Sequence, residues 1–94
     1  MNRGLLSIND YYVFTFASTS HALKAEKVLK EAGAEFIIMP TLREISSSCG
    51  LSVKINPTNL ELYRKVFSSN NVVVEEIYRV EKQDRNNNIT KLPN

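Results

Sequence analysis

The sequence predicts an α+β fold of the ferredoxin-like βαββαβ type: a four-stranded antiparallel sheet in order 4-1-3-2, with two helices on one face. Two observations predict it. Strand-like stretches rich in aromatic and β-branched residues alternate with amphipathic stretches in the order strand, helix, strand, strand, helix, strand. Capping and turn residues stand at the junctions: Ser18, Gly33, Pro40, Pro57 and the run Ser68-Ser69-Asn70-Asn71. Right-handed crossovers and short connections leave few other arrangements of these pieces.

Each element has its own reason. Tyr11-Tyr12-Val13-Phe14-Thr15-Phe16 has the composition of a strand. Ser18-Thr19-Ser20 then offers hydroxyls that can accept from free helix N–H groups. Over residues 19–32, Ala22, Ala25, Val28, Leu29 and Ala32 share a face, and Lys24, Lys27, Lys30 and Glu31 lie away from it. Gly33 suits the left-handed position that ends a helix. Glu35 to Met39 reads as the second strand, closed by Pro40. Gly50 to Ile55 reads as the third, with Leu51, Val53 and Ile55 alternating against Ser52 and Lys54. Pro57 suits the first turn of a helix over 57–69, whose stripe is Leu60, Tyr63, Val66 and Phe67. Val72 to Val80 is the fourth strand. The adjacent Glu75 and Glu76 require a bulge or one inward-facing carboxylate.

The expected organisation is a short N-terminal arm over 1–10, one domain over 11–82 and a disordered tail over 83–94, whose Asn-rich stretch offers little to bury. Ninety-four residues suffice for one small core. A net charge of +2 lacks the clustered basic excess of a dedicated nucleic-acid binder. An RNA-recognition surface on this fold needs stacking aromatics on both central strands, and the third strand has none. No stretch reads as a secretory leader or a membrane span, so the expected location is cytoplasmic, with neither nucleic acid nor membrane as a partner. One cysteine cannot close an internal disulfide. With one histidine, it cannot build a Cys/His zinc site either, so no metal or cofactor is expected. GxGxxG, P-loop, HExxH and CxxC motifs do not occur.

Topology brings distant segments together. The first strand, the second strand and the start of helix 1 meet at one end of the sheet. The connection 40–49 therefore lies beside residues 17–21, and the turn 68–71 falls at the same end. That connection is about ten residues long, where a hairpin usually needs 2–5. It ends in Ser46-Ser47-Ser48-Cys49-Gly50. Thiolates are favoured near helix N-termini and cations. Cys49 is thus a candidate nucleophile, with Arg43, Ser48 and the N-terminal groups of Ser18, Thr19, Ser20 and His21 as anion-stabilising neighbours. Gly50 would permit close backbone approach. Plainer roles exist for each: a buried small cysteine, a helix-cap serine, a solvent-facing His21 ring, a surface pair of Arg43 and Glu44. The other sheet face, with Tyr11, Val13, Thr15, Ser52 and Lys54, is expected to be open and partly apolar, so that a second copy could cover it as a homodimer.

Two runs carry a family resemblance. Tyr12 to Lys27, and Pro40-Thr41-Leu42-Arg43-Glu44-Ile45-Ser46-Ser47-Ser48-Cys49-Gly50-Leu51, together resemble the selenium/sulfur (Se/S) carrier protein-like family. These are small prokaryotic proteins long grouped as a domain of unknown function. The Arg-x-Ile-Ser-x-Ser-Cys-Gly type of motif is intact from Arg43 to Gly50. The resemblance places the family's cysteine on Cys49, its arginine on Arg43 and its histidine on His21. It implies a carrier rather than a stand-alone enzyme, holding sulfur or selenium on Cys49 as a persulfide or selenosulfide. Its implied partners are a donor such as a cysteine desulfurase and an acceptor enzyme. The Cys-Pro-x-Pro signature of the better-known small sulfur carriers is absent. The alternative is a non-catalytic ligand- or protein-binding module in which Cys49 is incidental.

Overall fold

The computed structural model describes residues 9–43, 45, 49–57, 60–83 and 86–93. In chain order its elements are β1 (Asp10–Phe16), α1 (Thr19–Glu31), β2 (Ile37–Pro40), β3 (Leu51–Ile55), α2 (Leu60–Ser69), β4 (Val74–Gln83) and β5 (Asn86–Leu92). The strands form one antiparallel sheet in the order β2-β3-β1-β4-β5. The four expected strands keep their expected neighbours.

The fifth strand is a correction, because all of it comes from residues expected to be a disordered tail. The polar run hides two well-placed apolar side chains. Ile89 pairs with Val80 and packs beside Tyr11 and Val13, while Leu92 pairs with Ile77 and packs into the core under the helices. Three residues apart on a strand, they anchor opposite faces of the hairpin. Residues 1–8 of the expected arm lie outside the described residues. Asp10 already belongs to β1, and the Asn9 carbonyl accepts from Lys82 N–H at 2.8 Å.

Local chemistry sets the ends of the elements. Ser18 is extended (φ −154°) and its Oγ accepts from His21 N–H at 3.4 Å, which caps α1. Gly33 has φ 69°. Its N–H reaches Lys30 O, and Ala34 N–H reaches Leu29 O, closing α1 with a Schellman motif. Ala32, expected on the buried face, is the exposed C-cap. The described part of α2 starts at Leu60, and Pro57 precedes it. It ends where Asn70 Nδ2 donates to Val66 O at 2.8 Å and Asn71 adopts φ 59°. The adjacent glutamates are resolved by a bulge. Thr15 pairs with Glu76 and Phe16 with Val74, leaving Glu75 as the extra residue. The Thr15 hydroxyl accepts from Glu76 N–H at 3.1 Å and donates to Glu76 O, closing the ladder across the irregularity.

The sheet buries both faces. On one, Phe14, Phe16, Val53, Ile55 and Ile77 share a core with Ala22, Ala25 and Leu29 of α1 and Tyr63 and Phe67 of α2. Phe67 meets Phe14 and Phe16 edge-on, at centroid distances of 5.0 and 5.8 Å. The other face was expected to be open, and it is not. Tyr11, Val13, Thr15, Ser52 and Lys54 are between 0 and 8 % exposed. Leu42 and Ile45, from the long β2–β3 connection, pack with Tyr11, Val13 and Val80. Burying two apolar residues of that connection takes the central strand's second face out of water. The surface expected to receive a second copy is thus already covered within the chain.

Candidate functional site

The β2–β3 connection leaves the sheet at Pro40, which tolerates an edge strand because it has no N–H to donate. Thr41 N–H donates to Gly50 O at 2.9 Å, extending the ladder by one step. The Thr41 hydroxyl lies 2.8 Å from Ser52 Oγ and donates to the Cys49 carbonyl at 3.1 Å. Ile45 N–H donates to Leu42 O at 3.0 Å. The connection is therefore tied at its base by Thr41. Its far part is held on the helix-free face by Leu42 and Ile45.

Cys49 ends this segment on the opposite side of the sheet. It is 1 % exposed and belongs to the core under the helices. Its thiol lies 3.8 Å from Thr19 Oγ1, and Leu51 N–H points at the sulfur from 3.4 Å. The expected meeting of residues 17–21 with the end of the β2–β3 connection is thus realised, at the first residue of α1. A sulfur atom bearing charge or an added sulfur would find two donors here, one backbone and one hydroxyl. The neighbouring turn falls at the same end: Val73 N–H donates to His21 Nδ1 at 3.2 Å and Lys24 Nζ to Asn71 O at 3.4 Å.

The structure separates the other candidates. His21 Nδ1 must carry its lone pair to accept from Val73, so any proton on the neutral ring sits on Nε2. This half-buried ring ties α1 to the α2–β4 connection. The His21 N–H is also taken, by Ser18 Oγ. Thr19 touches the sulfur, Ser18 is the cap and Ser20 is exposed. Arg43 is exposed, and among the described residues it makes no ion pair or hydrogen bond. It follows Leu42, whose side chain is drawn onto the helix-free face. Gly50 does not need to be glycine for its conformation: its φ is not positive, and an added Cβ would meet nothing within 4 Å. Ser46, Ser47, Ser48 and Glu44 lie outside the described residues.

Two residues that sequence reasoning passed over matter more than some it chose. Thr41 holds the cysteine's own carbonyl, and its position just after a strand-ending proline was the available signal. Ile45, three residues after Leu42, supplies the second apolar anchor. No group of three or more His, Cys, Asp or Glu side chains capable of holding a metal occurs among the described residues. No helix among them is long and apolar enough to cross a membrane.

A family model described as "Putative Se/S carrier protein-like" matches residues 11–79. No curated protein and no solved structure matches the chain. The matched range contains all of β1 but Asp10, both helices, β2, β3, the connection between them and most of β4.

Proposed function

From the premise that this chain belongs to the Se/S carrier protein-like family, we propose that Cys49 carries sulfur or selenium as a persulfide or selenosulfide and passes it to an acceptor protein. We read the βαββαβ core as ferredoxin-like, with β5 an addition at its edge, and the protein as cytoplasmic, where thiols stay reduced. One observation carries the reading. The only sulfhydryl of the chain ends the long β2–β3 connection beside the first turn of α1, within reach of Thr19 and the Leu51 N–H.

Loading is thiol exchange. The Cys49 thiolate attacks the sulfane sulfur of a donor persulfide, such as that on a cysteine desulfurase. A new S–S bond forms, the donor's S–S bond breaks, and the donor leaves as its thiolate. Delivery repeats the step with the acceptor's nucleophile attacking the outer sulfur and Cys49 as leaving group. Leu51 N–H and the Thr19 hydroxyl would steady the departing sulfur. Arg43, Ser48 and Gly50 belong to the same motif. In this reading Arg43 serves the partner's approach, since it stands exposed on the outer turn. Ser18, Ser20 and His21 hold the start of α1.

The test is loading followed by intact mass. Incubation with a persulfide donor should add about 32 Da per sulfur to the wild type and nothing to Cys49→Ser. A protein whose Cys49 can be alkylated but never gains that mass would end the carrier reading. The 1 % exposure of Cys49 favours a second reading, a ligand- or partner-binding module in which the thiol is a core residue. That reading expects no loading even when the segment over Cys49 is loosened by Thr41→Val.

A further inference from the structure

The sheet face expected to receive a second copy is covered by Leu42 and Ile45, but open apolar surface stands on the outside of the two helices. A groove of about 410 Å³ runs between the C-terminal end of α1 and α2. Its apolar lining is Val28 and Ala32 from α1 and Leu62 and Val66 from α2. Val28 is buried at its floor, whereas Leu62 is 53 % exposed. Leu62 does not belong to the stripe that α2 turns into the core, which Leu60, Tyr63, Val66 and Phe67 supply. It is an apolar knob standing beside an apolar hole.

The two walls of the groove carry opposite charges. Glu31 lines the α1 side and Lys65 the α2 side. Both are exposed, and among the described residues neither side chain makes an ion pair or a hydrogen bond. Such a surface complements itself. When a second copy is turned over by a two-fold axis along the groove, α1 of one copy lies over α2 of the other. Glu31 then faces Lys65 of the partner subunit, and symmetry forms that pair twice. Each Leu62 enters the groove of the other copy.

We propose that this groove, with Leu62 as its knob and Glu31 and Lys65 as its rim, is the interface of a two-fold symmetric dimer of the chain. An apolar centre excludes water and a charged rim fixes the register. The same patch is used on both copies, so the assembly closes at two. The cysteine end stays free: Glu31 ends α1 and Thr19, which touches the sulfur, begins it, about 18 Å away along the helix. The dimer therefore stands or falls independently of the carrier reading.

The experiment is sedimentation equilibrium of the full chain over a range of concentrations at low salt, with the circular dichroism of each variant as the check on folding. The wild type should show a monomer–dimer equilibrium and no larger species. Leu62→Asp, at an exposed position, should weaken the dimer by about tenfold or more. Glu31→Lys and Lys65→Glu should each weaken it by about tenfold, because each sets like charges against one another twice. An equal mixture of the two charge variants should recover the dimer as a mixed pair, since both rim contacts are then opposite in sign. Damage done within one chain would not be repaired by mixing. Should Leu62→Asp fold poorly, the mixture decides alone. A wild type that stays monomeric up to about 1 mM, a dimer indifferent to Leu62→Asp, or charge variants that remain monomeric when mixed would overturn the proposal.

Discussion

If Cys49 is reached through release of the Thr41–Cys49 segment, Thr41→Val should expose it far more than it destabilises the fold as a whole. The Thr41 hydroxyl makes two contacts, one to the Cys49 carbonyl and one to Ser52 Oγ, which is itself fully buried. Each such bond is worth roughly 0.5–1.5 kcal/mol net, more where a partner is left unpaired inside the fold. Losing both costs the closed segment about 2 kcal/mol, which raises the open population by about 30-fold. When opening and closing are fast relative to reaction, the alkylation rate tracks that population. The assay is the rate of Cys49 modification by iodoacetamide under native conditions, set beside the global stability from urea unfolding. The control is Leu29→Ala, buried in α1 away from the segment, which should lower global stability by about 2–5 kcal/mol. Local release predicts a large acceleration for Thr41→Val and a much smaller one for Leu29→Ala. The reasoning is refuted if the wild type reacts as fast as the denatured chain, or if both variants accelerate only in proportion to their loss of global stability.

Cys49→Ser should cost about 1–3 kcal/mol in urea unfolding, since a hydroxyl replaces the sulfur in an apolar core. A cost near zero would mean the sulfur is wetter than its 1 % exposure indicates. Lys54→Met should raise the thermal midpoint, because a partly desolvated cation gives way to an apolar side chain of similar length. Lys54 also fixes a sign with pH. Its folded-state pKa is depressed, so in alkaline solution the unfolded chain binds more protons and wild-type stability rises with pH through that window. The rise should vanish in Lys54→Met. Asp10 behaves differently. Its fork-like bonds of 2.7 and 3.1 Å to Arg79, and the guanidinium charge, hold its carboxyl below the usual carboxylate range. Its contribution is present above that range and lost as pH falls through the folded value, so Asp10→Asn should flatten the acid limb of an unfolding titration.

Much of the framework was legible because local chemistry and tertiary structure agree there. Gly33 takes the left-handed conformation its place after an amphipathic run suggested, and Ser18 caps α1 as a short hydroxyl should. Glu75 and Glu76, two charged neighbours in a strand, called for a bulge or one inward-facing carboxylate, and a register shift falls there. The meeting of Thr19 with Cys49 followed from topology alone. What escaped was decided by few apolar atoms in polar surroundings. Asn86–Leu92 reads as tail because its backbone gains come from the β4 ladder, which composition does not display. Leu42 and Ile45 read as loop residues, since their burial depends on a face of β1 far away in sequence. The same cover turned Lys54 from a surface lysine into a buried one. Arg43 was placed within reach of the sulfur by topology and by the motif; it stands exposed, next to Leu42, which packs on the helix-free face.

That opposition between the two ends of one segment is what a carrier of this kind would need. A persulfide is consumed by any thiol that reaches it, so a useful cargo site must be closed between partners and open to them. Cys49 is closed: its sulfur faces the core and its carbonyl is held by Thr41. The other end of the segment is anchored on the far side of the sheet by Leu42 and Ile45, beside an exposed Arg43. A partner that engages Arg43 and draws Ile45 off Tyr11 and Val13 would act on the segment from outside, without entering the helical core. Ile45→Ala separates this mechanism from simple unfolding. Ile45 is 5 % exposed, and removing its side chain should cost about 2–4 kcal/mol. If the cost falls on the closed segment, Cys49 alkylation rises by more than tenfold while the far-UV spectrum and the α1 amide protection stay native. If Ile45 instead serves only the helix-free face, stability falls, Cys49 stays as protected as in the wild type, and the two ends of the segment are not coupled.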